Sequence, residues 1–278
     1  MPELPEIEVT KRDMEREVAG KKFKSVEAAE KKLIAPHKSK AEFAQRIEGH
    51  KAKSFDRRGS FVVGKLDSGE LWVIDLGATG RMQRVKAGKP AADASTMLTI
   101  SFTTGGALRL NDPKGTARTW VTTKEEFDEL PEVVEPGIDP LESPVPWQTF
   151  GQILLAHQKS KLKALLQNPR IVTGLGPVYS DEVLFNAGLM YDRTSDTLSA
   201  HEVRRLYRGM IETLTDAIKY RGVSYDENEV DMYGEPGEYS QYVQVYLRAG
   251  EPCRRCRAPI ERVKFQKRYH YFCANCQS

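Results

Sequence analysis

Cys253, Cys256, Cys273 and Cys276 are the only cysteines of the chain and form the pattern C-x2-C, sixteen residues, C-x2-C within its last 26 residues. Two short knuckles, each presenting a pair of thiolates and joined by a loop long enough for a β-hairpin, suit one tetrahedral Zn2+. Two disulfides are the less favoured use of the same residues, since nothing at the N-terminus resembles a signal peptide and a reduced, cytoplasmic or nucleoid-associated protein is expected. Between residues 251 and 278, seven basic side chains (Arg254, Arg255, Arg257, Arg262, Lys264, Lys267, Arg268) stand against Glu251 and Glu261, while the whole chain carries only +3. Four thiolates on one zinc ion subtract two charges from this excess, so the basic signal shrinks but survives. Cations interleaved with Phe265, Tyr269, Tyr271 and Phe272 on a metal-stapled hairpin are suited to a nucleic-acid backbone, where they displace condensed counterions. A purely structural knuckle with solvated charges is the alternative reading of the same residues.

The elements that must position this tail follow from periodicity. Before residue 131, short apolar alternations separated by turns read as hairpins of an antiparallel sandwich: Phe61 to Leu66, the turn Asp67-Ser68-Gly69, Leu71 to Leu76, then Met97 to Thr104, Gly105-Gly106 and Ala107 to Leu110. One helix from about Pro5 to Ala19 precedes them, with proline in its first turn, Glu6 and Glu8 at the positive end of its dipole and Gly20 as stop signal. Thr123 and Glu126 make a capping box for a second, short helix. Pro131, Pro136, Pro140, Pro144 and Pro146 then crowd a stretch that reads as a linker, sustaining neither helix nor sheet interior. After it the period becomes helical over Trp147 to Gln158, Ser160 to Gln167, Ser180 to Ala187, and from the Ser199-x-x-Glu202 cap to about Tyr220. Residues 222 to 242 read as a loop leading into a strand from Val243 to Leu247 and then the zinc ribbon. No run is long and apolar enough to suggest a membrane span.

Met1-Pro2-Glu3-Leu4-Pro5-Glu6, a β-rich domain, the stretch Gly174-Leu175-Gly176-Pro177-Val178-Tyr179-Ser180-Asp181-Glu182 and the four-cysteine tail together resemble the formamidopyrimidine-DNA glycosylase and endonuclease VIII family over the whole chain. Further matches are Leu76-Gly77-x-x-Gly80, Asp112-Pro113, Pro136-Gly137-Ile138-Asp139-Pro140-Leu141, Val183-Leu184-Phe185 and Gln244-Val245-Tyr246. The resemblance implies an α+β, two-domain protein: a catalytic β-sandwich with its N-terminal helix (1–130), a linker (131–147), a helix-two-turn-helix domain (148–225), and a lesion-loop region with a β-hairpin zinc finger (226–278). It implies a base-excision-repair DNA glycosylase with abasic-site lyase activity; a monomer acting on damaged, abasic or single-stranded DNA is expected.

Cleaving a base and then the strand needs an amine that attacks C1′ and becomes an iminium. By resemblance Pro2 is that nucleophile once Met1 is removed, Glu3 is the general acid/base and Glu6 supports their geometry. A secondary amine forms an iminium directly, and an α-amino group with a pKa of about 8 is substantially unprotonated at neutral pH. The Gly174 to Gly176 turn and the following helix N-terminus are expected to grip a phosphate, Arg268 to reach phosphates beside the lesion, and Lys161 and Lys163 to add charge or merely solvate a helix face.

Several family positions differ. Ser60 follows Arg57-Arg58-Gly59 where lysine is usual, Ala78 replaces a wedge methionine, Gly115 and Thr116 replace an Arg-Phe pair, and Pro177 replaces asparagine. Either Arg81, Met82 or Arg118 takes over the wedge, or the substrate needs none, or catalysis has given way to recognition of distorted DNA. A zinc-ribbon RNA binder is the remaining alternative. Retention of Pro2, Glu3 and Glu6 together favours the enzyme.

Overall fold

Pro5 in the first turn and Glu3 in an extended conformation before it start α1 (Leu4–Glu17), whose apolar side, Leu4, Ile7, Met14 and the following Val18, is buried. The computed structural model describes residues 2–87, 93–134, 137–227, 229–265 and 268–278; Met1, Pro136 and Lys267 lie outside the described residues, as does the side chain of Phe265. The chain divides into two units, Met1–Val134 with Arg221–Glu238, and Glu135–Tyr220 with Tyr239–Ser278.

In the first unit α1 is followed by β1 (Phe23–Ala28), the short α2 (Lys40–Gln45), then β2 (Ala52–Arg58), β3 (Phe61–Leu66), β4 (Leu71–Asp75), β5 (Arg81–Val85), β6 (Thr96–Phe102), β7 (Ala107–Asn111) and β8 (Arg118–Thr122). They form two antiparallel four-stranded sheets, ordered β1-β6-β7-β5 and β2-β3-β4-β8. The inward residues of both sheets and of α1, among them Phe23, Phe55, Trp72, Ile74, Ile100 and Leu110, build one core. Phe23 and Phe55 both meet the Trp72 ring edge-on, and the Trp72 indole N–H donates to Thr119 Oγ1 at 2.8 Å, so the largest buried ring leaves no polar orphan. On the opposite face of the second sheet, Phe61, Val63, Val73 and Trp120 pack under Phe127, carried by α3 (Lys124–Asp128), and under α4 (Pro131–Val134).

The hairpins anticipated from alternation are present as β3–β4 and β6–β7. β1 and β2 were not anticipated. Register shifts at Phe23/Ser25 and Ala52/Ser54 give both strands a three-residue burial rhythm at their start, which a period-two reading misses.

The second unit contains α5 (Trp147–Ala156), α6 (Leu162–Leu166), α7 (Pro177–Ala187), α8 (Ala200–Lys219) and the hairpin β9 (Glu261–Phe265) and β10 (Arg268–Phe272). The Ser199/Glu202 capping box forms as read, and Val203, Leu206, Met210, Leu214 and Ala217 make the buried stripe of α8. Gly209 of α8 lies against α7, where an added Cβ would be in ordinary contact, 3.4 Å from the Ala187 nitrogen. The ribbon's core of Val245, Cys253, Ile260, Tyr271 and Cys273 packs on Phe185 of α7.

Two local expectations are corrected. The proline-rich stretch does carry a helix, the single turn α4, because Pro131 occupies the first helical position, where its missing N–H is not needed. Downstream it is docked rather than free: Ile138 N donates to Ile171 O at 2.9 Å and Thr173 N to Ile138 O at 2.9 Å. Val243 to Leu247 forms no strand; its amides bond to a carboxylate instead, and Leu247 has φ 58°, outside the strand region. Residues 221–238 belong to the first unit.

Candidate active site and nucleic-acid contacts

At the amino end of the first unit, Pro2 is buried and Glu3 is 3% exposed. The Glu3 amide donates to Glu6 Oε2 at 2.9 Å, and Glu6 Oε1 accepts the Val223 amide at 3.0 Å. Glu6 therefore ties the helix start to a segment 217 residues away. The segment can approach because residue 222 is glycine. It has φ +78°, and an added Cβ would overlap the Glu6 carboxylate. Below this turn, Arg221 bridges Asp231 (2.6 Å) and Asp13 of α1 (2.5 Å), and stacks its guanidinium over Tyr233. Burial raises the Asp13 carboxyl above the usual carboxylate range, with the Arg221 hydrogen bond pulling the other way.

The opposite flank of α1 is fixed by Glu8, which accepts from Arg57 Nε at 3.0 Å and from Arg12 at 2.8 Å. Burial alone would raise Glu8, but the hydrogen bonds from Arg57 and Arg12 hold it below its ordinary value. Arg57 Nη1 also donates to Gly59 O at 3.0 Å. The first arginine of Arg57-Arg58-Gly59-Ser60 is thus an internal strut, and Arg58 and Ser60 are exposed at the β2–β3 turn, where Arg58 faces Phe61.

Two loops carry the small residues noted in the sequence. Asp112 gathers them: it accepts from Thr79 Oγ1, from Lys114 N at 3.2 Å, and from Thr116 N and Ala117 N at 2.5 and 2.6 Å. Ala78 N donates to Thr116 Oγ1 at 2.9 Å. Burial disfavours the charged form, yet these donors together keep the Asp112 carboxyl below its ordinary value. Ala78, Gly115 and Thr116 therefore sit on a braced double loop.

The wedge candidates fare differently. Met82 is 2% exposed in the core and is not available to enter a base stack. Arg81 is partly buried, donating to Gly80 O at 2.9 Å and lying 3.7 Å from Glu229. Arg118 is exposed and paired with Asp75 at 2.9 Å.

In the second unit Gly174 has φ +71°, and Gly176 is the N-cap of α7, with Pro177 in its first turn. Lys161 is exposed at the N-cap of α6. Lys163 departs from both readings offered for it. Its side chain is fully buried, donating to Pro177 O at 3.0 Å and to Asp181, so it neither reaches a phosphate nor faces solvent. It fixes the first turn of α7 from beneath. The next residue, Glu182, accepts the amides of Gln244 (2.7 Å), Val245 and Tyr246 (both 2.9 Å). Burial pushes its carboxyl up, with the three amides pulling the other way. Asp181 and Glu182 were legible as part of a motif, but only the fold assigns them these roles; the cue was two adjacent carboxylates inside an apolar helix, which require partners.

The four cysteine sulfurs lie within 4.8 Å of one another, with Cys253···Cys276 at 3.9 Å and Cys256···Cys273 at 3.4 Å. A tetrahedron with metal–sulfur bonds of about 2.3 Å has edges of roughly 3.8 Å, whereas a disulfide would need about 2.05 Å. The donor set fits structural zinc, held by all four thiolates and leaving no open position. The Arg255 amide donates to Cys253 Sγ at 3.4 Å. Around it Arg254, Arg257, Arg262, Lys264 and Arg268 are exposed. Arg268 opens β10 opposite Phe265, and Arg262 lies over the Tyr269 ring.

Comparisons with known proteins follow this layout. Residues 1–119 match the formamidopyrimidine-DNA glycosylase N-terminal domain, 137–228 its H2TH domain, and 250–278 the zinc finger found in FPG and IleRS. The chain is 31% identical to the formamidopyrimidine-DNA glycosylase of Herpetosiphon aurantiacus over 278 residues and 34% identical to that of Geobacillus kaustophilus over 281, each match covering 100% of both chains. Among solved structures it resembles the MutM (Fpg) protein of Thermus thermophilus, with 30% identity, a TM-score of 0.86 and coverage of 99% of this chain and 98% of that one. It also resembles Lactococcus lactis Fpg in complex with abasic-site DNA, with 26% identity, a TM-score of 0.89 and 99% of each chain covered.

Proposed function

Because the chain belongs to the formamidopyrimidine-DNA glycosylase family, we propose that it excises damaged bases from DNA and then cleaves the abasic strand, using the Pro2 nitrogen as nucleophile and Glu3 as acid and base. The observation that carries this reading is the arrangement at the start of α1. Glu3 is nearly inaccessible and directly follows Pro2, and its amide is locked by Glu6, itself locked by Val223.

The chemistry requires a free Pro2 nitrogen, hence loss of Met1. Its lone pair forms a bond to C1′ as the bond to the base breaks and the base leaves with a proton. Glu3 then protonates the ring oxygen O4′, the C1′–O4′ bond opens, and the nitrogen becomes an iminium. That cation draws electrons when a proton leaves C2′, so the bond to the 3′ phosphate breaks by β-elimination. A buried carboxyl suits the first proton transfer, because a dry surrounding strengthens its interaction with charge developing on the sugar.

The substrate we assign is one that already disrupts stacking: an abasic site, a single strand or a strongly distorting lesion. Ala78, Gly115 and Thr116 offer no bulk to fill the hole left by an extruded base, Met82 is in the core, and Ser60 brings no positive charge to the β2–β3 turn. Exposed Arg268, Arg58 and Lys161 and the N-terminal amides of α7 are the phosphate contacts of this reading.

Borohydride reduction traps the iminium. A preparation shown by intact mass to lack Met1 is expected to cross-link to abasic oligonucleotides, and Glu3→Gln to slow formation of that adduct by roughly a hundredfold or more. Absence of any adduct on single- and double-stranded abasic DNA, with damage-selective binding retained, would replace the lyase by a DNA-recognition protein of the same fold.

A further inference from the structure

Away from the motifs of the amino terminus and the ribbon, α8 carries a second basic feature. His201, Arg204, Arg205 and Arg208 stand at i, i+3, i+4 and i+7, the spacing of one helix face. With Asn186 of α7, Gly209 and Glu212 they line a pocket of about 350 Å3.

Local structure explains only part of this. Arg208 donates to Glu212 at 2.7 Å, an exposed pair one turn apart. Arg205 lies beside Gly188, where an added Cβ would be 3.9 Å from its Nη2. Gly188 is the left-handed C-cap of α7, and a cation there is favoured by the helix dipole. Neither interaction accounts for Arg204 or His201, both exposed or nearly so. Among the described residues no carboxylate oxygen lies within 4.0 Å of Arg204 or Arg205, and Arg205 Nε is buried without a hydrogen-bond partner. A guanidinium with an unused, desolvated N–H beside two further cations calls for an anion with several oxygens.

We infer that this pocket binds phosphodiesters of nucleic acid, as a contact separate from the lesion-reading machinery. The dimension favours a strand over a single anion. From residue 201 to 208 the face extends about 10 Å along the helix, and phosphates of one strand recur at about 3.4 Å of duplex axis. The stripe can therefore meet two or three in succession. Such a contact is blind to sequence and damage, so it adds affinity for undamaged DNA without adding lesion selectivity. The inference rests on the reading of this chain as a DNA-binding protein but not on its lyase chemistry.

The test uses the full chain carrying Arg204→Gln together with Arg208→Gln, leaving the partly buried Arg205 in place. On a long undamaged duplex, the slope of log affinity against log salt is expected to become shallower by about 2, roughly 0.9 for each phosphate no longer neutralised. Borohydride trapping on a short abasic oligonucleotide and the thermal melt are expected to match the parent. An unchanged slope with normal melting overturns the inference. Equally fatal would be tight binding of a mononucleotide or inorganic phosphate that the double substitution abolishes without touching the slope, which would assign the pocket to a small phosphorylated ligand. Failure of trapping in the parent as well would remove the lyase proposal and leave the slope measurement intact.

Discussion

Glu6 in the first unit and Glu182 in the second are the same device put to different ends. Each is a helical carboxylate that holds a segment distant in sequence by accepting its backbone amides. Glu6 is only partly buried and divides its oxygens between Glu3 at the start of its own helix and Val223. Glu182 is 2% exposed and accepts three consecutive amides, from Gln244 to Tyr246. The Glu182 joint is closed on all sides, as suits a permanent attachment for the ribbon. The Glu6 joint stays next to the proposed nucleophile, where substrate must be admitted. The contrast teaches that satisfying the same amide donors can either seal a fold or shape a site, and that residual exposure separates the two.

Three experiments would break or sharpen this contrast. The largest effect is expected from metal removal. Chelation of zinc, or Cys273→Ser, forfeits binding free energy of about 10 kcal/mol or more by analogy with zinc-finger peptides. Hydrogen exchange should then show loss of protection across 250–278, while the Val223 amide on Glu6 keeps its protection. Next, Glu182→Gln turns one acceptor into a donor facing amide donors and is expected to cost about 1–3 kcal/mol. It should lower the melting temperature and release the amides of 244–246 while leaving the trapping rate of folded protein unchanged. A slower rate at full folding would erase the distinction between the two joints. The smallest stability effect belongs to Gly222→Ala, about 1–2 kcal/mol for a side chain at positive φ. Its overlap with Glu6 should still slow trapping roughly tenfold or more, since small misplacements of reacting groups are costly. Adding Glu6→Ala should recover stability but not rate, which thermal melts and single-turnover trapping read separately.

Much of the architecture is written locally. Alternation marked β3, β4, β6 and β7, the Thr123 and Ser199 boxes marked two helix starts, and the cysteine spacing marked the metal site. What escaped reading did so for physical reasons. Bulges disguise the opening of β1 and β2, and Val243 to Leu247 is apolar like a strand but spends its amides on Glu182. Lys163 has the composition of a surface residue and becomes internal only because Asp181, 18 residues on, is there to receive it. Arg57 belongs to a basic run, yet its guanidinium is an interior partner of Glu8.

The sequence by itself marked the metal ligands, because paired thiols at short spacing carry that chemistry locally, whereas Pro2, Glu3 and Glu6 became catalytic candidates only through motifs along the whole chain that resemble one family. Which charges are available to DNA and which are spent inside was decided only by tertiary structure. Burying an ion demands a partner supplied from elsewhere in the chain, and no local pattern shows where that partner will arrive.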